Sequence, residues 1–358
     1  MQERQYTVEA PGRVNLIGEH IDYHGLPVLP MALERRVRIE FRPRTDRRIS
    51  VSSNGHGPRE FEWSEALTPV AQGDWENYLR AAARAVAQKW GVGTGLDATI
   101  HSDLPEAAGL SSSSALIVAC TLALLRANGI EASFEELMEV LPEGEHFVGT
   151  RGGGMDHAAS LASRTGCASL IEFAPLSIRH VPIPAGWRFL VAHSGITAEK
   201  SGAVRERYNA RRKAGSTALE RLGAASYREL LDEDVASLAA SLSTLEEQDA
   251  FLHTTGEALR VREAVAAMER ADAAGFGRLL RESHASLRDR LHVSCPALDR
   301  LVEAATASGA LGARLTGAGF GGCIVAFCLS EDIDRIAAGL RAAPFVYEVK
   351  PGPGALSR

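Results

Sequence analysis

The chain has 358 residues, 45% of them hydrophobic and 23% charged, with a formal net charge of -6. The length exceeds one ordinary core and predicts two domains. The composition is that of a soluble globular protein, and the acidic balance excludes a basic groove for nucleic acid. An anionic nucleotide is not excluded, because phosphate sites are built locally from backbone N–H groups. The five cysteines (Cys120, Cys167, Cys295, Cys323 and Cys328) are odd in number and follow no zinc or disulfide spacing. That usage fits a reducing cytoplasm. Cys120 and Cys328 lie in apolar runs and read as buried small hydrophobes. The first residues, MQERQYTVEAPGR, carry no apolar signal core. No apolar run reaches the ~18 residues of a membrane span.

Residues 5–10 and 36–42 alternate branched or aromatic residues with polar ones and read as strands. A long turn-rich segment is expected between them. Residues 77–90 form an amphipathic helical pattern, and 96–102 a strand. LPEAAGLSSSSA follows and runs into the apolar helix ALIVACTLALLRA. Ser133 with Glu136 is a capping box opening another helix. A short helix starts near Asp156, after the glycine run at 152–154. A strand pair covers 167–183, and PIPAGW at 182–187 is the expected domain boundary, dividing 1–184 from 185–358. RFLVAHS reads as a buried strand, and 196–270 as mainly helical, with Ser226 and Glu229 as a second capping box. The basic stretch ERYNARRK at 206–213 reads as a solvated helix face. The end of the chain gives helix, strand GARLTG, glycine turn, strand CIVAFCL, helix 331–342 and strand FVYEVK, an α+β pattern.

The segment LPEAAGLSSSSAL at 104–116 carries phosphate chemistry in its residue types. Gly109 lets the backbone bend close to a ligand. The first N–H groups of the following helix have no internal partners, and their positive dipole end suits a phosphate. Hydroxyls from Ser111, Ser112, Ser113 and Ser114 can add hydrogen bonds or ligate Mg²⁺. A simple serine cap would need one hydroxyl, not four. There is no G-x4-G-K-[ST] loop and no H-R-D or D-F-G set, which excludes a Walker-type ATPase and a protein kinase.

Near the N-terminus, APGRVNLIGEHIDYHGLPVLPMAL at 10–33 sets Arg13, Glu19, His20, Asp22 and His24 among apolar neighbours. Charged residues so placed are costly unless paired or used. Glu19, His20 and Asp22 supply the mixture of donors and acceptors that sugar hydroxyls need. A metal site is the alternative, because His20, Asp22 and His24 would share a face if this segment were a strand. His24 alone reads as a surface or turn histidine. EHFVGTRGGGMDHAAS at 145–160 places three glycines before Asp156, which is either an N-cap or a working carboxylate. ARLTGAGFGGCIVAF at 313–327 is either a glycine-rich hairpin or a second backbone wall near bound phosphates.

These segments, together and in this order, resemble the GHMP kinase superfamily and, within it, the galactokinase family. APGRVNLIGEHIDY is similar to the galactokinase signature, LPEAAGLSSSSAL to the ATP phosphate loop, LTGAGFGGC to the third family motif, and GGGMD to the segment with the catalytic aspartate. The resemblance implies an α+β two-domain fold. One half would resemble the second domain of ribosomal protein S5 and the other a ferredoxin-like domain, with the active site between them. It implies Asp156 as the catalytic aspartate and Arg13 as its positive neighbour. Glu19, His20, Asp22, Gly153 and Tyr208 would contact the sugar. Gly109, Leu110 and Ser111–Ser114 would bind ATP, Ser113 and Glu145 would hold Mg²⁺, and Trp75 would pack near adenine.

The implied activity is a cytoplasmic, monomeric, ATP-dependent sugar 1-kinase, a galactokinase that moves the γ-phosphoryl group directly to the C1 hydroxyl. His157, Ile21 and His24 depart from the common family pattern, and HIDYxGxxVLPMA, GLSSSSAL and LIEFAPL are closer to the N-acetylgalactosamine kinase branch. An N-acetylgalactosamine kinase or an arabinokinase is therefore the alternative within the class. Outside it stands a non-catalytic sugar and ATP sensor, against which the intact serine turn, Arg13 and Asp156 speak.

Overall fold

The computed structural model describes residues 5–105, 108–149, 152–197 and 202–357. Positions 106–107 of the serine turn, 150–151 before the glycine run and 198–201 of the helical stretch lie outside the described residues. The first half of the chain builds a five-stranded sheet in the order β1-β2-β5-β3-β4. Its strands are β1 (Tyr6–Ile17), β2 (Leu29–Pro43), β3 (Arg48–Ser53), β4 (His56–Glu62) and β5 (Leu96–Ser102). β3 runs parallel to β5, and the other pairs are antiparallel. Period-two alternation orients β2: Val37, Ile39 and Phe41 are buried, while Arg38 and Arg42 are exposed.

Four helices follow or interrupt these strands: α1 (Glu76–Trp90), α2 (Ser112–Ala127), α3 (Phe134–Phe147) and α4 (Met155–Ala162). α2 is apolar nearly all round, which makes it the central buried helix; it touches β1, β2, α1 and α4. The Ser133–Glu136 capping box opens α3 as expected, with both reciprocal bonds present. A hairpin of β6 (Cys167–Phe173) and β7 (Leu176–Pro182) joins the first sheet through the Val28–Ile171 bridge.

Past the 182–187 segment a second, antiparallel sheet forms in the order β11-β8-β10-β9. It comprises β8 (Trp187–His193), β9 (Gly312–Leu315), β10 (Cys323–Leu329) and β11 (Val346–Val349). Between β8 and β9 run α5 (Gly202–Arg221), α6 (Val235–Ser241), α7 (Leu245–Glu269), α8 (Ala273–Asp289) and α9 (Pro296–Ala307), and α10 (Ile333–Gly339) precedes β11. α7 and α8 both reach β1, and α8 also packs on β9 and β10, so the second sheet's helix layer meets the first sheet where the first motif lies. Cys120 and Cys328 are buried, as their apolar surroundings predict.

Several features differ from the sequence reading. The segment expected to be turn-rich after residue 10 instead continues β1 to Ile17, with register shifts between Pro11 and Arg13 and between Asn15 and Ile17. Proline cannot donate to a ladder, and a bulge accommodates it while keeping the strand running. Ser226 and Glu229 do not form a capping box. Ser226 precedes and Glu229 lies within a 3-10 turn at Tyr227–Leu230, where Ser226 accepts from Arg228 N and Glu229 from Ala225 N. The helix expected at 331–342 is a 3-10 turn at Ser330–Asp332 followed by the shorter α10. The boundary at 182–187 separates the sheets, yet the tail crosses back. Pro351 bridges Leu33, and Gly354 N donates to Ser163 O at 2.7 Å.

Candidate active site

The long β1 strand delivers Arg13 to the N-terminal ends of α2 and α4. Its guanidinium is buried, donating from Nε to Asp156 Oδ1 at 2.7 Å and from Nη1 to Gly109 O at 2.7 Å. Nη2 lies 2.6 Å from the same Asp156 oxygen. The Arg13 amide also donates to Leu110 O at 3.1 Å, which stitches the serine turn to the strand. Charge-assisted, near-bidentate contacts of this kind fix geometry as well as energy.

Asp156 is not an N-cap. Gly154, at φ 97, caps α4, and Asp156 sits in the first turn, where the helix dipole favours negative charge. Its second oxygen accepts from Ser111 Oγ at 2.6 Å. Ser111 is itself left-handed at φ 60 and precedes α2 without capping it, because its hydroxyl is used on Asp156. The carboxylate therefore stands between a guanidinium and a hydroxyl of the serine turn. Ser112 and Ser113 occupy the first positions of α2, and Leu110 is buried beneath them.

A cleft of about 410 Å³ opens beside this pair. It is lined by Arg13, Glu19, His20, Asp22, Glu145, Gly153, Asp156 and Tyr208, together with Gly317 and Ala318 of the late glycine turn. Asp22 lies in a 3-10 turn at Asp22–His24 and accepts from Gly153 N at 3.0 Å through Oδ2. A Cβ at Gly153 would collide with the backbone of Asp22 and Tyr23, so only glycine fits there. Burial, reinforced by the neighbouring Asp156 charge, pushes the Asp22 carboxyl up to about 6.

His20 is held at φ 63, a conformation sparsely populated outside glycine. Its Nε2 is 3.1 Å from Ala318 O, and its Nδ1 2.8 Å from the Tyr23 hydroxyl. A carbonyl only accepts, so Nε2 carries a hydrogen; in the neutral imidazole Nδ1 then accepts from Tyr23. The Tyr208 ring centroid lies 5.2 Å from that of His20 and 5.8 Å from that of Tyr23. Tyr208 is buried within α5, so the basic stretch around it is not wholly a solvated face. Burial holds its phenol far above the usual tyrosine range, and it stays neutral.

Gly109, at φ 77, stands against the late glycine turn: a Cβ on it would lie 3.0 Å from Thr316 O, and one on Gly317 would lie 2.9 Å from Gly109 O. The late glycines thus pack on the serine turn as a second wall. Glu145 of α3 accepts from Ser114 Oγ at 2.7 Å. The hydroxyl bonded to Glu145 is that of Ser114, one residue after the expected Ser113. This pairing of a carboxylate with hydroxyls at a helix N-terminus is a hard-oxygen donor set, which suits Mg²⁺.

Trp75 stands at the start of α1, with its ring centroid 5.7 Å from His56 and Arg59 over it at 5.6 Å, and is not among the residues that line this cleft. One sequence expectation is corrected: the His20–Asp22–His24 metal alternative fails, since these residues form a turn, not a strand, and lose their shared face. His24 packs 5.0 Å from the Tyr227 ring, and burial drives its imidazole down to about 3. It is a turn histidine, but not a surface one. Among the described residues, no group of three His, Cys, Asp or Glu is placed to hold a metal ion.

Sequence reasoning missed Tyr23, whose hydroxyl fixes His20, and Arg314 of β9, which is fully buried and reaches Glu19. The signal for Arg314 was present: a lone charge between Ala313 and Leu315 in an apolar strand.

Residues 1–43 match the galactokinase galactose-binding signature, 77–164 the GHMP kinases N terminal domain, and 264–345 the GHMP kinases C terminal family. A galactokinase of Chloroflexus aggregans is 36% identical over 350 residues, covering 96% of this chain and 88% of the relative. The Homo sapiens galactokinase is 37% identical over 335 residues, covering 90% of this chain and 83% of its own length. The structure of Lactococcus lactis galactokinase complexed with galactose superimposes with a TM-score of 0.92 at 26% identity, covering 99% of this chain and 96% of that one. A mevalonate kinase at 19% identity and TM-score 0.69 shares the fold. With its site geometry and these relatives taken together, the chain belongs to the galactokinase family of the GHMP kinases.

Proposed function

We infer that the chain is an ATP-dependent galactokinase, transferring the γ-phosphoryl group of ATP to the C1 hydroxyl of galactose. The observation that carries the reading is Asp156, gripped by Arg13 and Ser111 where the serine turn meets the cleft. Phosphoryl transfer is chiefly positioning and electrostatic stabilisation, and both are supplied by the groups assembled here.

In this reading the sugar occupies the cleft, with its C1 hydroxyl toward Asp156. Asp22, His20, Glu19, Tyr208 and the Gly153 backbone orient the ring. The N–H groups opening α2, with Gly109 and Ser111–Ser114, bind the phosphates. As the C1 oxygen bonds to phosphorus and the bond to the ADP oxygen breaks, Asp156 accepts the hydroxyl proton. Arg13 offsets charge on the transferring group. Glu145, with Ser113 or Ser114, would hold Mg²⁺. That ion, when bound, neutralises charge on the phosphates. In this reading an N-terminal domain, residues 1–184, carries the sugar turn and the phosphate loop, and 185–358 form the second domain. The free thiols suit a reducing cytoplasm, and a monomer would carry every group named here.

A panel of galactose, N-acetylgalactosamine, arabinose, glucose and mevalonate, with ADP release as readout, tests this. Galactose should give the highest kcat/KM. Preference for N-acetylgalactosamine or arabinose would reassign the sugar, and activity with none of them would reject the kinase reading in favour of a sensor.

A further inference from the structure

A buried ionic knot adjoins the cleft, sharing Glu19 with its wall, and grips the segment that forms its sugar side. Arg314, fully buried in β9, donates from Nη1 to Leu16 O at 2.9 Å, to Asn15 O at 3.3 Å and to Glu19 Oε2 at 3.1 Å. Glu19 in turn accepts from Gly317 N at 2.6 Å and from Thr316 Oγ1 at 3.3 Å. On the far side, Glu257 of α7 accepts from Gly18 N at 3.0 Å, and His253 Nε2 donates to Glu19 O at 3.0 Å. Every backbone group from Asn15 to Glu19 named here is thus tied to the half of the chain that follows β8.

The gripped segment is conformationally demanding. Gly18 at φ 107 and His20 at φ 63 flank Glu19, and a left-handed histidine persists only where its surroundings over-determine it. Buried ion pairs are poor stabilisers compared with apolar packing of the same volume, so their presence argues for positional specificity. Burial alone would raise the Glu257 carboxyl, but Arg260 and Arg314 outweigh it and hold the group at about 2. Glu257 is therefore charged across the physiological range, whereas burial raises the Glu19 carboxyl against the pull of Arg314 and Arg13.

We propose that Arg314, which does not line the cleft, is a positioning residue for sugar recognition: it locks residues 15–20 so that Glu19 and His20 face the sugar. This rests on the cleft being the sugar site. Lysine cannot replace it, because Nη1 serves the two carbonyls while Nη2 lies 3.1 Å from Glu19 Oε2 and 4.0 Å from Glu257 Oε1, a two-nitrogen reach that one ammonium lacks.

Arg314→Lys and Arg314→Met should raise KM for galactose about tenfold or more, as small displacements in a positioned site do, while KM for ATP stays within about twofold. The galactose-induced rise in Tm should shrink and the ATP-induced rise persist. Glu257→Gln, which keeps Arg314 in place, should show the same selective change more weakly and guards against variants that do not fold. An unchanged galactose KM in a folded Arg314 variant overturns the proposal, as does equal loss for both substrates with ligand-induced Tm shifts intact. So does wild-type behaviour of Glu257→Gln where neither Arg314 variant folds. Should wild type phosphorylate no sugar, the kinase reading fails, and the sugar-induced Tm shift still tests the lock.

Discussion

Arg13 and Asp156, 143 positions apart in the chain, meet in a buried contact of 2.7 Å from Nε to Oδ1. The same guanidinium holds the Gly109 carbonyl, so one side chain sets the distance between the carboxylate and the phosphate turn. Asp156→Ala should lower kcat by about 10²–10⁴-fold, the range of a positioned general base. ATP affinity, measured by calorimetry, should remain within a few-fold. Arg13→Lys should also fail to restore activity, because two acceptors at an angle require the planar fork. Most of the activity surviving in Asp156→Ala would remove the aspartate from the mechanism.

Sugar capture should depend on pH through Asp22. With its carboxyl raised to about 6 by burial and the nearby Asp156, Asp22 is neutral below that pH in the free protein and charged above it. Sugar hydroxyls donate better to a carboxylate. Hence kcat/KM for galactose should climb as pH rises through about 6, and Asp22→Asn should lose this limb along with affinity. A pH profile unchanged by Asp22→Asn would contradict the assignment.

Gly109 and Gly317 stand back to back at φ 77 and φ 83. Alanine at Gly317 would bring Cβ to 2.9 Å from Gly109 O and impose a left-handed non-glycine residue. The conformational strain costs about 1–3 kcal/mol. Gly317→Ala should therefore lower Tm and, by shifting the serine turn, raise KM for ATP more than KM for galactose. Equal Tm and equal KM values would show that the two turns are not mechanically linked.

The metal reading gives a separate test. EDTA should abolish turnover, and Mg²⁺ should restore it. Glu145→Gln should raise the Mg²⁺ concentration needed for half-maximal activity, since Mg²⁺ favours charged oxygen ligands. An unchanged Mg²⁺ requirement in Glu145→Gln would remove Glu145 from the ligand set.

What the sequence disclosed was whatever depends on local chemistry. The alternation in 36–42, the capping box at Ser133 and the serine turn running into an apolar helix all appear where their patterns place them. Tertiary constraints stayed hidden. Pro11 and Gly12 read as turn residues, yet a bulge lets β1 continue past them. The hairpin β3–β4 went unrecognised, although Ser53 pairs with His56 across Asn54–Gly55, a strong turn signal. Most of the cleft was legible because Arg13, Glu19, His20, Asp22, Gly153 and Asp156 sit in short, unusual motifs. The use of Ser111 on Asp156 and the pairing of Ser114 with Glu145 were not, because a linear pattern carries no side-chain direction.

The most direct measurement is phosphorus and proton NMR of the product formed by wild-type protein from galactose and Mg²⁺-ATP, run beside Asp156→Ala. The expected product is galactose phosphorylated at C1, with one ADP per sugar, and almost none from the variant. Phosphate on another hydroxyl, or equal product from the variant, would contradict it.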